Sequence, residues 1–80
     1  MKNRRIMIIT GSSKGIGKYL AKYYVNKNYY VIGCSRGEID FQLNNYEHHQ
    51  LNVCDEKSVK MFFKHIRKTY GRLDVLINNA

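Results

Sequence analysis

Two periods of apolar spacing alternate along the chain, and each change of period marks an element. Arg5-Ile6-Met7-Ile8-Ile9-Thr10 is an apolar run closed by Gly11. An unbroken run of this length predicts a strand buried on both faces. Gly11-Ser12-Ser13-Lys14-Gly15-Ile16-Gly17 reads as a turn. Ile16, Leu20 and Tyr24 then fall on one face of a predicted helix that ends near Asn26-Lys27-Asn28. Tyr29-Tyr30-Val31-Ile32-Gly33-Cys34 is a second strand. Residues 35–47 have poor periodicity and read as a loop holding a single helical turn. Residues 48–53 form a third strand.

Asp55 looks like an N-cap. Val59, Phe62, Phe63, Ile66 and Tyr70 repeat at i, i+3, i+4, i+7 and i+11, the stripe of an amphipathic helix. Gly71 stands where a helix C′ residue belongs. Asp74-Val75-Leu76-Ile77-Asn78 is a fourth strand. Strands that alternate with helices imply a parallel sheet with right-handed crossovers, hence an α/β fold. The chain has no internal repeat and no low-complexity linker, so it reads as one domain or part of one.

Length and charge narrow the picture. The chain has 80 residues, and a domain of that size buries only about 60–65% of its unfolded surface. The net charge of +8 favours anionic partners, among them nucleic acid, acidic lipid and phosphorylated small molecules. The cations are spread along the chain rather than clustered, which argues against nucleic acid. No stretch approaches the roughly 18 apolar residues of a membrane helix. The basic start, Met1-Lys2-Asn3-Arg4-Arg5, precedes an apolar run too short for a signal peptide. Cys34 and Cys54 form no C-x-x-C pair and read as reduced thiols, so the expected location is cytoplasmic.

The strand–turn–helix at Gly11, Gly15 and Gly17 carries the chemistry. A glycine turn that opens a helix aims backbone N–H groups at one point, and the helix dipole adds positive potential there. Gly11 would take a backbone angle denied to other residues, Gly15 would let a ligand approach, and Gly17 would let helix and strand pack closely. Ser12 and Ser13 would add hydroxyl donors. The spacing is neither G-x-G-x-x-G nor a P-loop.

Thr10-Gly11-Ser12-Ser13-Lys14-Gly15-Ile16-Gly17 resembles the T-G-x-x-x-G-x-G loop of short-chain dehydrogenases/reductases. Asn52-Val53-Cys54-Asp55 resembles that family's D/N-V-x-D segment, and Asn78-Asn79-Ala80 its N-N-A-G motif without the glycine. The Asn at the third-strand segment is most similar to 3-oxoacyl-[acyl carrier protein] reductases. The resemblance implies a Rossmann-like parallel sheet of strand order 3-2-1-4, its N-terminal half only, with residues 1–80 as an NADP(H)-binding half-domain. It implies that Gly11, Ser12, Ser13, Lys14, Gly15 and Ile16 face the pyrophosphate and nearby ribose. Asn52 and Val53 would contact adenine, Asn79 and Ala80 would lie along the ribose, and Asn78 would brace the central strands.

Cofactor choice rests on the end of the second strand. NAD enzymes usually place a carboxylate there. Cys34-Ser35-Arg36 offers none, and Arg36 can fork onto a 2′-phosphate. Lys14 adds a second charge, so the expected cofactor is NADP(H).

Other features read more plainly. His48 and His49 are adjacent on a strand and point to opposite faces, so they do not share a metal. Tyr23-x-x-x-Lys27 has the letters of the family's catalytic Y-x-x-x-K, but it falls at the far end of the first helix. The catalytic Ser, Tyr and Lys of the family follow the N-N-A-G motif. The chain is therefore expected to be a truncated, inactive oxidoreductase whose carbonyl or alcohol substrate binds only in a longer parent. Its fourth strand, an apolar edge, is expected to self-associate. The alternatives are a non-catalytic nucleotide-binding or interaction module and a small basic nucleic-acid binder.

Overall fold

A computed structural model describes residues 4–79. Six elements follow in order: β1 (Arg5–Thr10), α1 (Gly15–Val25), β2 (Tyr29–Ser35), β3 (Tyr46–Gln50), α2 (Glu56–Tyr70) and β4 (Val75–Asn78). The strands form one parallel sheet of order β3-β2-β1-β4. That is the order expected from the sequence.

The unbroken apolar runs of β1 and β2 serve both faces of the sheet. Alternate side chains of a strand point to opposite faces. Met7, Ile9 and Val31 accordingly pack under Ala21 of α1, while Ile6, Ile8, Ile32 and Cys34 pack against Phe62 and Ile66 of α2. The core is thus two thin layers that share the two central strands.

Local signals explain the helix ends. The Asp55 carboxylate accepts the Ser58 N–H at 3.4 Å and the Ser58 hydroxyl at 2.9 Å, which caps α2 as expected. Gly71 closes α2 in the left-handed region at φ 72°, its N–H donating to the Arg67 carbonyl at 2.8 Å. At the end of α1, the Arg4 guanidinium donates to the carbonyls of Val25 at 3.1 Å and Tyr29 at 2.8 Å.

Three expectations need correction. Of the expected α1 face, Leu20 and Tyr24 pack against the core beside the buried Gly17 and Ala21, but Ile16 is 70% exposed. The first turn of α1 stands over the end of β1, and the close approach there selects Gly17 and turns its larger neighbour outward. Strand β3 starts and ends earlier than the expected 48–53. Its ladder pairs Tyr46 with Val31 and Gln50 with Ser35, and the Leu51 N–H makes a last bond to the Ser35 carbonyl at 2.7 Å. Beyond it, Asn52 and Val53 turn away because β2 has ended. The loop between β2 and β3 contains no helical turn. A Lys18–Asp40 ion pair at 3.1 Å and the Phe41 ring under Lys18 hold it to α1.

Strand β4 pairs with β1, and among the described residues no strand covers its other edge. Leu76 is 50% exposed there, while Val75 and Ile77 pack toward α1. Asp74 docks this strand onto β1. Its carboxylate accepts the Ile6 N–H at 2.8 Å and the Arg72 guanidinium at 2.7 Å. Its own N–H donates to the Ile6 carbonyl at 2.9 Å. The Arg72 hydrogen bond, with help from the Ile6 N–H, holds the Asp74 carboxyl below the usual carboxylate range.

A carboxyl whose pKa is lower folded than unfolded stabilises the fold above its unfolded value of about 3.9. That contribution is lost as pH falls through the folded value. Asp74→Asn should therefore lower the urea midpoint at neutral pH and flatten its decline below about pH 4. An unchanged acid limb would show that Asp74 does not carry it.

Candidate cofactor site

The carboxyl ends of the strands open into a cleft of about 940 Å³. Gly11, Ser13 and Lys14 form one wall, residues 34–40 a second, and Leu51, Asn52, Val53 and Cys54 a third. A parallel sheet places ligands at this end, where loops and helix N-termini converge.

The loop after β1 owes its path to two glycines in the left-handed region, Gly11 at φ 68° and Gly15 at φ 62°. A Cβ on Gly15 would meet nothing within 4 Å, so the outer side of the loop is open to a ligand. Gly17 is the opposite case. A Cβ there would run into the Gly11 carbonyl and come within 2.8 Å of Asn79 Nδ2. Helix and loop therefore touch backbone to backbone.

Not every donor of the loop is available to an anion. The N–H groups of Gly11 and Ser12 both turn to the Cys34 carbonyl, at 2.7 and 3.4 Å. The N–H groups in the first turn of α1 have no intrahelical acceptor. Lys14, the N-cap residue, makes no side-chain cap bond to them, and no acidic residue stands in that turn. An anion is the complement such a helix start attracts.

Ser12 does not face the cleft as expected. Its side chain is completely buried, and its hydroxyl lies 2.9 Å from the Tyr46 hydroxyl. The missing Cβ of Gly33 makes room for both groups. The Tyr46 hydroxyl also meets His48 Nδ1 at 3.1 Å, and His48 Nε2 lies 3.1 Å from both the Gly37 carbonyl and Ser35 Oγ. Burial holds the His48 imidazole below its ordinary pKa, which favours the neutral ring. A carbonyl only accepts, so Nε2 carries the proton and Nδ1 accepts from Tyr46. The chain Ser12–Tyr46–His48–Gly37 thus ties the glycine loop to the loop after β2. Tyr46 and His48 were not expected at the site; the glycine inside β2, a mark of close approach, was the signal for them.

The other expected residues divide as follows. Arg36 and Lys14 are exposed and line the cleft. Val53 and Asn52 line it too, with the Asn52 carboxamide oxygen accepting the Cys54 N–H at 2.9 Å. Gly15 and Ile16 lie on the exposed first turn of α1. Asn79 braces the loop, donating from Nδ2 to the Gly11 carbonyl at 3.2 Å and from its N–H to Thr10 Oγ1 at 2.9 Å. Asn78 accepts the Thr10 hydroxyl at 3.0 Å, the bracing role expected of it. Ala80 lies outside the described residues. Carboxylates are also nearer than the end of β2 suggested, because Glu38 and Asp40 line the same wall as Arg36. The Lys18 ion pair holds the Asp40 carboxyl below its ordinary pKa. Lys27 lies over the Tyr23 ring at 5.2 Å, and neither residue lines the cleft.

The family model described as short chain dehydrogenase matches residues 5–80. The chain belongs to the short-chain dehydrogenase family. An uncharacterized oxidoreductase of Schizosaccharomyces pombe is 41% identical over 76 residues, covering 92% of this chain and 26% of the relative. A 3-oxoacyl-[acyl-carrier-protein] reductase of Salmonella typhimurium is 34% identical over 82 residues, covering 95% of this chain and 34% of the relative. The chain therefore spans between a quarter and about a third of these short-chain dehydrogenase relatives.

Two solved structures extend the comparison. A Leptospira borgpetersenii short chain dehydrogenase with bound NAD+ superimposes with a TM-score of 0.87 at 26% identity, covering 95% of this chain and 31% of its own. ElxO Y152F with NADPH bound gives 0.86 at 36% identity, covering 96% and 35%. The oxidoreductase family and the nicotinamide cofactor of its structural neighbours agree with the fold and motifs read above. No described helix is long and apolar enough to cross a membrane.

Proposed function

We propose that this chain is the NADP(H)-binding portion of a short-chain dehydrogenase that interconverts carbonyl and alcohol groups. The observation that carries the proposal is the cleft wall itself, where Arg36 and Lys14 flank a glycine loop opening onto α1. Gly11, Ser13, Lys14, Gly15 and Ile16 would hold the pyrophosphate, and Arg36 the 2′-phosphate. Asn52 and Val53 would border the adenine. The open space beside Gly15 and the uncapped start of α1 fit a phosphate. When bound, the nicotinamide supplies or accepts the hydride.

Substrate activation needs a Ser and a Y-x-x-x-K at matching positions. Tyr23 and Lys27, the one such pair among these 80 residues, stand outside the cleft. The chain by itself would then turn over no carbonyl substrate. The uncovered edge of β4 would pair with a further strand or with a second copy.

Titration with both cofactors tests the reading. NADPH should bind more tightly than NADH, and Arg36→Asp should weaken NADPH by about 1.5–3 kcal/mol, the range of a charged hydrogen bond. Equal affinities in the unmutated chain would refute the role of Arg36. Substrate-dependent NADPH oxidation by the purified chain would refute its inactivity.

A further inference from the structure

One face of β3 looks away from the Ser12–Tyr46–His48 chain and toward α2. Glu47 and His49 lie two residues apart on that face, and His65 reaches toward them from α2. One ligand atom from each of the three lies within 4.8 Å of the other two. Among the described residues this is the one group of three potential ligands so placed. We propose that Glu47, His49 and His65 form a binding site for a divalent transition metal of the zinc type, joining β3 to α2.

The donor set suits such an ion. Two imidazoles, which calcium and magnesium seldom take, make a His/His/carboxylate set favour zinc over those ions. Ligand atoms around tetrahedral zinc stand roughly 3.3 Å apart, given bonds near 2.0–2.1 Å. The three ligand atoms, already within 4.8 Å of one another, would have to close to about that spacing. His65 is exposed while Glu47 and His49 are half-buried, so the fourth position faces solvent and takes water.

The surroundings orient the ligands. The hydroxyls of Tyr30, at 2.8 Å, and Tyr70 both donate to Glu47 Oε1. Oε2 is left facing His49 Nε2 at 2.5 Å. Hydrogen-bonded carboxylates of this kind are the usual outer support of a metal site. The His49 ring stands edge-on to Phe62 at 5.2 Å and to His65 at 5.9 Å, which limits its rotation. Thr69 Oγ1 lies 3.5 Å from His65 Nδ1. On binding, His49 Nε2 would turn its lone pair to the ion in place of the contact with Glu47, and the ring proton would sit on Nδ1. The net charge of +8 repels cations in general, so retention here would rest on coordination rather than diffuse attraction.

The test is a zinc titration of the full chain, read by calorimetry and by melting temperature. Binding of one equivalent with a raised melting temperature is expected. His65→Gln, on an exposed helix face, should weaken zinc by at least about tenfold and remove the thermal shift, and His49→Gln should do the same. Cys54→Ser should leave both readouts intact. Cobalt(II) gives a second reading on the unmutated chain: visible bands of a four-coordinate ion without a thiolate charge-transfer band. No zinc-dependent shift up to millimolar metal would overturn the site. So would unchanged affinity in both histidine variants, loss of binding in Cys54→Ser, or a thiolate band with cobalt.

Discussion

Gly17→Ala is expected to destabilise the chain by about 2 kcal/mol or more and to abolish dinucleotide binding. The new methyl would collide with the Gly11 carbonyl and stand 2.8 Å from Asn79 Nδ2. The first of these is backbone and cannot swing aside. Either α1 lifts from the sheet or the glycine loop moves, and both displace the start of α1 from the cleft. Alanine regains up to about 1 kcal/mol in helix propensity, too little to offset the overlap. Gly37→Ala is the control, since a Cβ there meets nothing within 4 Å. Urea unfolding and an NADPH titration on both variants decide the matter. A Gly17→Ala protein as stable as Gly37→Ala would mean that the close approach does not limit the fold.

Ile8→Ala is expected to remove about 2–5 kcal/mol, the range for truncating a fully buried aliphatic side chain. Ile8 has no exposed surface and sits between Ile32 and Leu76 in the sheet, in the layer of Phe62 and Ile66. Stabilities of roughly 0.05–0.15 kcal/mol per residue give a chain of this size about 4–12 kcal/mol. One fully buried side chain in one of two thin layers is therefore a large share of the total. Thermal melting by circular dichroism should show a steep fall in midpoint or no cooperative transition. A loss below about 1 kcal/mol would mean that the layer collapses around the gap.

The fold was legible wherever apolar spacing was regular. Ile6 to Ile9 and Val31 to Cys34 have no polar interruption, which is the mark of strands covered on both faces. The stripe from Val59 to Tyr70, bounded by Asp55 and Gly71, specified α2 and both its ends. Strand β3 was less legible. Tyr46 to His49 are half-buried, Gln50 is exposed and polar groups stand on both faces, so nothing in Tyr46 to Gln50 sets its limits. The limits come from β2, the strand it pairs with.

At the site, local backbone chemistry could be read and partner choice could not. The glycine spacing pointed to a tight strand-to-helix turn, and Arg36 and Lys14 both reach the cleft wall. The sequence by itself thus determined the alternating elements, the family motifs and the placing of the loop at a strand end. These depend on residues close together in the chain. Tertiary structure decided where side chains found their partners. It turned Ser12 inward to Tyr46, set Asn79 against the Gly11 carbonyl, brought Glu38 and Asp40 to the wall of Arg36, and placed His65 beside Glu47 and His49. Those contacts span separations of 16 to 68 residues or join loops of irregular backbone. A hydroxyl or carboxamide has no preferred partner until the sheet register and the crossing of the helices bring one within hydrogen-bond reach.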